Sequence, residues 1–101
     1  MAKKIRWTTA AADDLQSISE FISRDSERYA AITIDNIIGA LERAGEFPGM
    51  GRQVPEFRKS TIREVIVYSY RAIYRVEEED IVVLGIIHGA RRLKKAMKGR
   101  A

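Results

Sequence analysis

The sequence predicts an α+β domain of order β-α-α-β-β-β: an antiparallel β-meander over about residues 62–88, one face of which is packed by an antiparallel helical hairpin. Three observations predict it. Two alternating segments and one continuous apolar segment follow one another with very short links. Two amphipathic helical stripes precede them, separated only by Arg24-Asp25-Ser26. After the last apolar segment the chain breaks at Gly89 into a short basic helix with Leu93 and Met97 on one side.

Lys4–Trp7 reads as a first strand with Ile5 and Trp7 on one face. Thr8-Thr9 then supplies an N-cap, and Asp13 and Asp14 are expected in the first helical turn, where the macrodipole favours carboxylates. Ala11, Leu15, Ile18 and Ile22 recur at helical spacing up to Ser23. Asp25 or Ser26 caps a second helix from about Glu27 to Ala44, with the stripe Ala31, Ile34, Ile37/Ile38, Leu41 and Ala44, and with Gly45 and Pro48 marking its stop. So brief a link makes the pair an antiparallel hairpin.

Residues 47–61 hold both prolines and form the only long irregular segment, the kind of loop that is often functional. Ile62–Tyr68 and Tyr70–Val76 alternate with period two and are rich in β-branched and aromatic residues. Ile81–His88 is apolar on both faces, as in a strand covered on both sides. The links at Ser69 and at the acidic run Glu77–Asp80, expected to be a solvated turn, are too short for anything but antiparallel neighbours.

A chain of 101 residues holds one domain with a single core. No apolar run approaches the ~20 residues that span a bilayer, and the start, Met1-Ala2-Lys3-Lys4, lacks the apolar stretch of a secretory signal. The absence of cysteine excludes disulfides and thiolate metal sites and suits a cytoplasmic protein. With His88 the lone histidine, a metal site is not expected, and no cofactor motif is present. The net charge of +4 is uneven: residues 89–101 carry six cations and no acid. A basic end on a mildly acidic body suggests an anionic partner, nucleic acid or an acidic protein segment. A solvated basic tail is the plainer alternative.

This order of elements resembles the ParE/RelE superfamily, the toxins of type II toxin–antitoxin (plasmid stabilisation) modules. The marks are Trp7 with Ala12-x-x-Leu15-x-x-Ile18, Phe47-Pro48-x-x-Gly51-Arg52, Arg63-x-Val65-x-Val67, Tyr70-Arg71-Ala72-Ile73-Tyr74-Arg75-Val76, and Ile87-His88-Gly89-Ala90-Arg91. They span nearly the whole chain. The RelE branch resembles ribosome-dependent mRNA endonucleases, which hold a scissile phosphate with Arg and Lys. Its two arginines fall on Arg71 and Arg91, but its two strand lysines fall on Ile62 and Glu64, and its C-terminal tyrosine falls near Met97. The Phe-Pro-x-x-Gly-Arg loop and the Ile-His-Gly-Ala-Arg ending resemble the ParE branch more closely. That resemblance implies a DNA gyrase inhibitor with no catalytic residues of its own. It also implies a cognate antitoxin that wraps over the hairpin and the sheet edge, giving a hetero-oligomer.

Arg71 and Arg75 share a strand face with Ile73. If the hairpin covers the other face, they line an open surface suited to an acidic or phosphate partner; alternatively they pair with Glu64 or the acidic turn. With Arg91, Arg92, Lys94 and Lys95 they make up the candidate target-binding set, the last four being the best candidates because no acid lies among them. Arg63 is expected to pair with a helix carboxylate or a chain end. His88 reads as a hydrogen-bonded structural residue before a general acid or base. Tyr68, Tyr70 and Tyr74 read as packing residues before base-stacking platforms.

Overall fold

A computed structural model describes residues 2–101; Met1, part of the start read above for a secretory signal, lies outside them. The order is β1 (Lys4–Trp7), α1 (Thr9–Ser23), α2 (Glu27–Glu46), one 3-10 turn (Pro48–Met50), β2 (Arg52–Gln53), β3 (Ile62–Val67), β4 (Tyr70–Val76), β5 (Asp80–His88) and α3 (Leu93–Ala96). The strands form one sheet in the order β1-β5-β4-β3-β2. β3, β4 and β5 are the expected antiparallel meander. β1 joins β5 in parallel, with Ile5 opposite Ile81 and Trp7 opposite Val83. A parallel neighbour needs a long crossover, which everything between the two strands supplies.

Both helices start at a capping hydroxyl. Thr8 Oγ1 accepts from the Ala11 N–H, and Ser26 Oγ accepts from the Tyr29 N–H. Because α1 begins at Thr9, Asp13 and Asp14 fall beyond its first turn, against expectation. Asp14 instead reaches the sheet. β1 stops opposite Val83, so the Ile86 N–H has no strand neighbour on that side and donates to Asp14 Oδ2 at 3.0 Å.

α2 also departs from its expected bounds, running on to Glu46. Gly45 lies inside it, in close contact with Lys3 and Ile5 of the β1 segment, and its backbone oxygen accepts from the Lys3 N–H. At the other end the buried stripe begins at Ala30 and Thr33, and Ala31 faces solvent. A second difference lies in the irregular segment: Arg52 and Gln53 pair with Glu64 and Arg63 as a two-residue edge strand.

The sheet has a core on each face. Ala11, Ile18, Ile37, Leu41 and Ala44 of the hairpin close on Val65, Ala72, Tyr74, Ile81, Val83 and Ile86. On the reverse face Ile62, Ile73, Val82, Leu84 and Ile87 are sealed by Val54 of the long loop and by Leu93 and Met97 of the C-terminal segment. β5 serves both cores by alternating its side chains between the two faces, and a bulge shifts that alternation part-way along. Ile73 lies opposite Gly85 but Tyr74 opposite Val83, so Leu84 is one residue extra and the inward parity shifts there. Gly85 permits the C-terminal segment to cross at that point, since a Cβ on it would lie 2.7 Å from Met97 Sδ. The C-terminal helix is correspondingly short, four residues instead of the expected span from Ala90 to Lys98.

Candidate functional site

The six candidate cations fall into two groups with opposite electrostatic surroundings. The first lies on the reverse face of the sheet. β3 places Glu64 on the same face as Ile62, and cross-strand pairing brings Arg52 of β2 and the neighbourhood of Arg71 of β4 to it. The Glu64 carboxylate is fully buried. Its Oε2 accepts from Arg52 Nε and its Oε1 from Arg71 Nε, each at 2.6 Å. The remaining edge of the Arg71 guanidinium donates from Nη1 and Nη2 to both oxygens of Glu56, at 2.7 and 2.8 Å. Such forked, charge-assisted contacts are among the strongest hydrogen bonds in proteins.

Two guanidinium groups and two carboxylates therefore cancel locally. The hydrogen bond from Arg71 holds the Glu56 carboxyl at about 2, well below the usual carboxylate range, against a smaller opposing effect of burial. The same contacts, Glu56 first and then Glu64, raise the Arg71 guanidinium further above its ordinary value. The expected open arginine surface is thus corrected at Arg71, whose side chain is only 12% exposed. The alternative pairing with Glu64 is what forms, joined by Glu56, a residue that no sequence pattern singled out. Its only signal is its place after Pro55 in the one long irregular segment.

Arg75 is more open but also engaged, donating from Nε to Glu77 at 2.9 Å. That contact is the main cause lowering the Glu77 carboxyl. The acidic turn is accordingly not a freely solvated one: Arg6 bridges Glu77 and Asp80, and Lys3 Nζ donates to the backbone oxygens of Glu77 and Glu78. Arg63 finds neither a helix carboxylate nor a chain end. Its Nη1 donates to the Gly51 backbone oxygen at 2.8 Å.

The Phe47-Pro48-x-x-Gly51-Arg52 loop is built around Tyr74. Pro48 opens the 3-10 turn, where its missing N–H costs nothing, and its carbonyl accepts from the Tyr74 hydroxyl at 2.8 Å. The Gly51 N–H donates to the Tyr74 hydroxyl oxygen at 3.2 Å, and a Cβ on Gly51 would lie 2.3 Å from that oxygen. Burial raises the Tyr74 phenol. Tyr74 is thus a core residue, and the loop motif is the frame that presents Arg52 to Glu64.

The second group is Arg91, Arg92, Lys94 and Lys95, all exposed. Leu93 and Met97 anchor their segment by burial in the reverse-face core, and Arg100 clamps its end to Asp14 and the Leu84 backbone oxygen. Among the described residues, none of the four cations has a carboxylate within ion-pairing distance. Four charges are thus held on an anchored element with nothing to cancel them.

His88, also exposed, accepts from the Ala90 N–H through Nδ1 at 3.1 Å and stands edge-on to Tyr70, with ring centres 5.5 Å apart. Tyr68 is exposed at the tight β3–β4 turn with φ of 53°, its hydroxyl accepting from Asn36 Nδ2. Among the described residues no group of three or more His, Cys, Asp or Glu side chains is placed to hold a metal ion. Among the described residues no helix is long and apolar enough to cross a membrane.

The sequence model of the ParE toxin of the type II toxin–antitoxin system parDE matches residues 5–93. The chain belongs to this ParE toxin family. Its relatives include Y4kP of Sinorhizobium fredii, 34% identical over 88 residues that cover 85% of this chain and 88% of the relative. Toxin ParE3 of Caulobacter vibrioides is 25% identical over 93 residues, 92% of each chain. In fold, this ParE-family toxin is similar to a chain of the chromosomal ParDE system from P. aeruginosa, with a TM-score of 0.70 at 20% identity, covering 86% of this chain and 96% of that one. It is also similar to a chain of the RelBE2 toxin–antitoxin complex from Mycobacterium tuberculosis, at 0.59 and 21%, covering 87% and 99%.

Proposed function

We propose that this chain acts as a ParE-type toxin that inhibits DNA gyrase in the cytoplasm and is neutralised by a cognate antitoxin, as part of a plasmid-stabilisation module. The observation that carries this reading is the buried Glu64 with its two arginines. A phosphate-cleaving site needs cations free to meet the charge that develops on the transferring group. Here the strand arginine best aligned for that role, Arg71, is occupied on both edges by carboxylates, and Ile62 and Glu64 stand where strand cations are needed. Of the six candidate cations, Arg91, Arg92, Lys94 and Lys95 have no ion pair among the described residues, which suits contact with an acidic or phosphate surface more than cleavage.

An antitoxin segment laid over the hairpin and the sheet edge would meet unpaired backbone groups along β3 beyond its short pairing with β2, where strand addition supplies main-chain hydrogen bonds. The hetero-oligomer follows from that contact. The fold likeness to a RelBE complex keeps a ribosome-dependent mRNA endonuclease, with Arg71 and Arg91 as its phosphate-holding residues, as the reading to beat.

The purified chain, incubated with gyrase, supercoiled plasmid and ATP, is expected to accumulate protein-linked linear DNA, and antitoxin is expected to abolish it. Intact, normally supercoiled plasmid would sink the gyrase reading. Cleavage of ribosome-bound mRNA that is lost in Arg71→Ala and Arg91→Ala would replace it with the endonuclease.

A further inference from the structure

The C-terminal segment is built as a fixed surface, not as a loose basic tail. Four backbone hydrogen bonds wind residues 92–100 into compact turns: Ala96 N–H to the Arg92 oxygen, Met97 to Leu93, Lys98 to Lys95 and Arg100 to Met97. Leu93 and Met97, four positions apart, are buried in the reverse-face core. With that side pinned, Arg91, Arg92, Lys94, Lys95 and Lys98 are left exposed. Arg100 fastens the end. Its guanidinium donates to Asp14 Oδ2 and to the Leu84 oxygen, and the same Asp14 oxygen accepts from the Ile86 N–H. Gly85 leaves room for the crossing, since a Cβ there would lie 2.7 Å from Met97 Sδ and 2.9 Å from Arg100 Nη1.

Three of the cations, Arg91, Arg92 and Lys95, line a recess of about 310 Å³ with Ala96. Among the described residues none of the five exposed cations has a carboxylate within ion-pairing distance. No exposed large apolar side chain lies in residues 89–101 either, all of them described. That combination decides the kind of partner. A protein partner draws most of its affinity from apolar and aromatic anchors seated in pockets, with charge at the rim. Here the charge has no anchor beside it. A single nucleic-acid strand is held largely by bases stacked on aromatic side chains, and residues 89–101 contain no aromatic residue. A duplex needs neither. It carries one negative charge per ~1.7 Å of its axis and binds cations by releasing its own counterions.

We infer that this segment is an ordered, sequence-independent contact for the sugar–phosphate backbone of duplex DNA. Arg91, Arg92 and Lys95 take one phosphate at the recess, and Lys94 and Lys98 extend the contact to its neighbours. The inference rests on the reading that these cations touch the target, and it names DNA where that reading left an acidic or a phosphate surface open. Its test leaves gyrase out. Duplex binding without trapped breaks would sink the gyrase reading alone, and trapped breaks without duplex binding would sink this inference alone.

The test follows the anisotropy of a labelled duplex of about 20 base pairs, titrated with the full-length chain between about 50 and 200 mM salt. The logarithm of the binding constant should fall against that of the salt concentration with a slope of about −4, as for four or five neutralised phosphates. Arg92→Ala, Lys94→Ala and Lys95→Ala combined should flatten the slope to about −1 to −2 and weaken binding at least about tenfold at the lower salt. Gly85→Val and Leu93→Ala alter no charge. Each should loosen the segment and weaken binding about threefold to tenfold, because its side chains must then be ordered again on the DNA. Retained amide protection in β3 and β4 verifies that both variants fold.

A solvated basic tail would bind equally well with or without these two charge-neutral changes, and that result would overturn the proposal. So would a polyglutamate of equal charge binding as tightly as the duplex, or an oligothymidylate binding more tightly. No duplex binding at about 100 μM protein in the lower salt would also end it.

Discussion

The reverse face of the sheet and the C-terminal segment carry similar cations to opposite ends. On the sheet, Arg52 and Arg71 close on Glu64 and Glu56, and the group is internally neutral. On the C-terminal segment, Arg91, Arg92, Lys94 and Lys95 face outward with no acid to meet them. A count of arginines along the chain does not distinguish the two. Burial does: a charge withdrawn from water must be matched where it lies, whereas a solvated charge is free to wait for a partner. The first group is matched within the fold, and the second is left without a matching charge among the described residues.

Removing the acid at the centre of the first group tests this contrast most severely. Glu64→Ala leaves Arg71 and Arg52 without their shared carboxylate and should cost about 3–5 kcal/mol, read from urea unfolding. A cost near that of an exposed ion pair would mean that the sheet arginines do not depend on it.

The anchoring of the second group is tested next. Leu93→Ala removes a side chain buried against the reverse-face core and should cost about 2–4 kcal/mol. It should also raise amide exchange over residues 90–100 more than in α2. Uniform acceleration would show that the C-terminal segment opens only with the whole domain.

Acid sharpens the comparison further. The Glu56 carboxyl titrates lower in the folded chain than in the unfolded one, so its contribution is complete above the unfolded value and is lost as pH falls from about 5 towards about 2. After allowance for its partial exposure, the native chain should lose about 1–2 kcal/mol more than Glu56→Gln over that interval. Parallel curves for the two would remove Glu56 from the stabilising group.

The smallest effect on stability should come from the free cations. Arg92→Ala, Lys94→Ala and Lys95→Ala combined should change stability by less than about 0.5 kcal/mol. The same triple variant should elute from heparin at markedly lower salt, whereas Arg71→Ala should lose stability and keep most of its retention. The reverse pattern would exchange the roles assigned to the two regions.

Most of the fold was legible in the residues because it rests on local periodicity. The alternation of Ile62–Val67 and Tyr70–Val76, the 3.6-residue stripes of α1 and α2, and the Thr8 and Ser26 caps each depend on neighbours a few positions away. The family resemblance was legible for the same reason, since its marks are short local patterns within or just beyond single elements. Less of the candidate site could be read. The basic C-terminal cations were visible as a run, whereas Arg71 could be read either as open or as paired with Glu64, and the part of Glu56 was not visible at all.

Sequence by itself determined β1, the two long helices, the antiparallel meander and the basic end, since hydrophobic period and link length dictate them. Only tertiary structure decided which charges cancel. Glu56 meets Arg71 across fifteen residues, Arg100 reaches Asp14 across eighty-six, and the Gly51 backbone reaches Tyr74 across twenty-three. No local pattern encodes such contacts. They form because a closed core brings distant polar groups out of water together, and there each must find a partner.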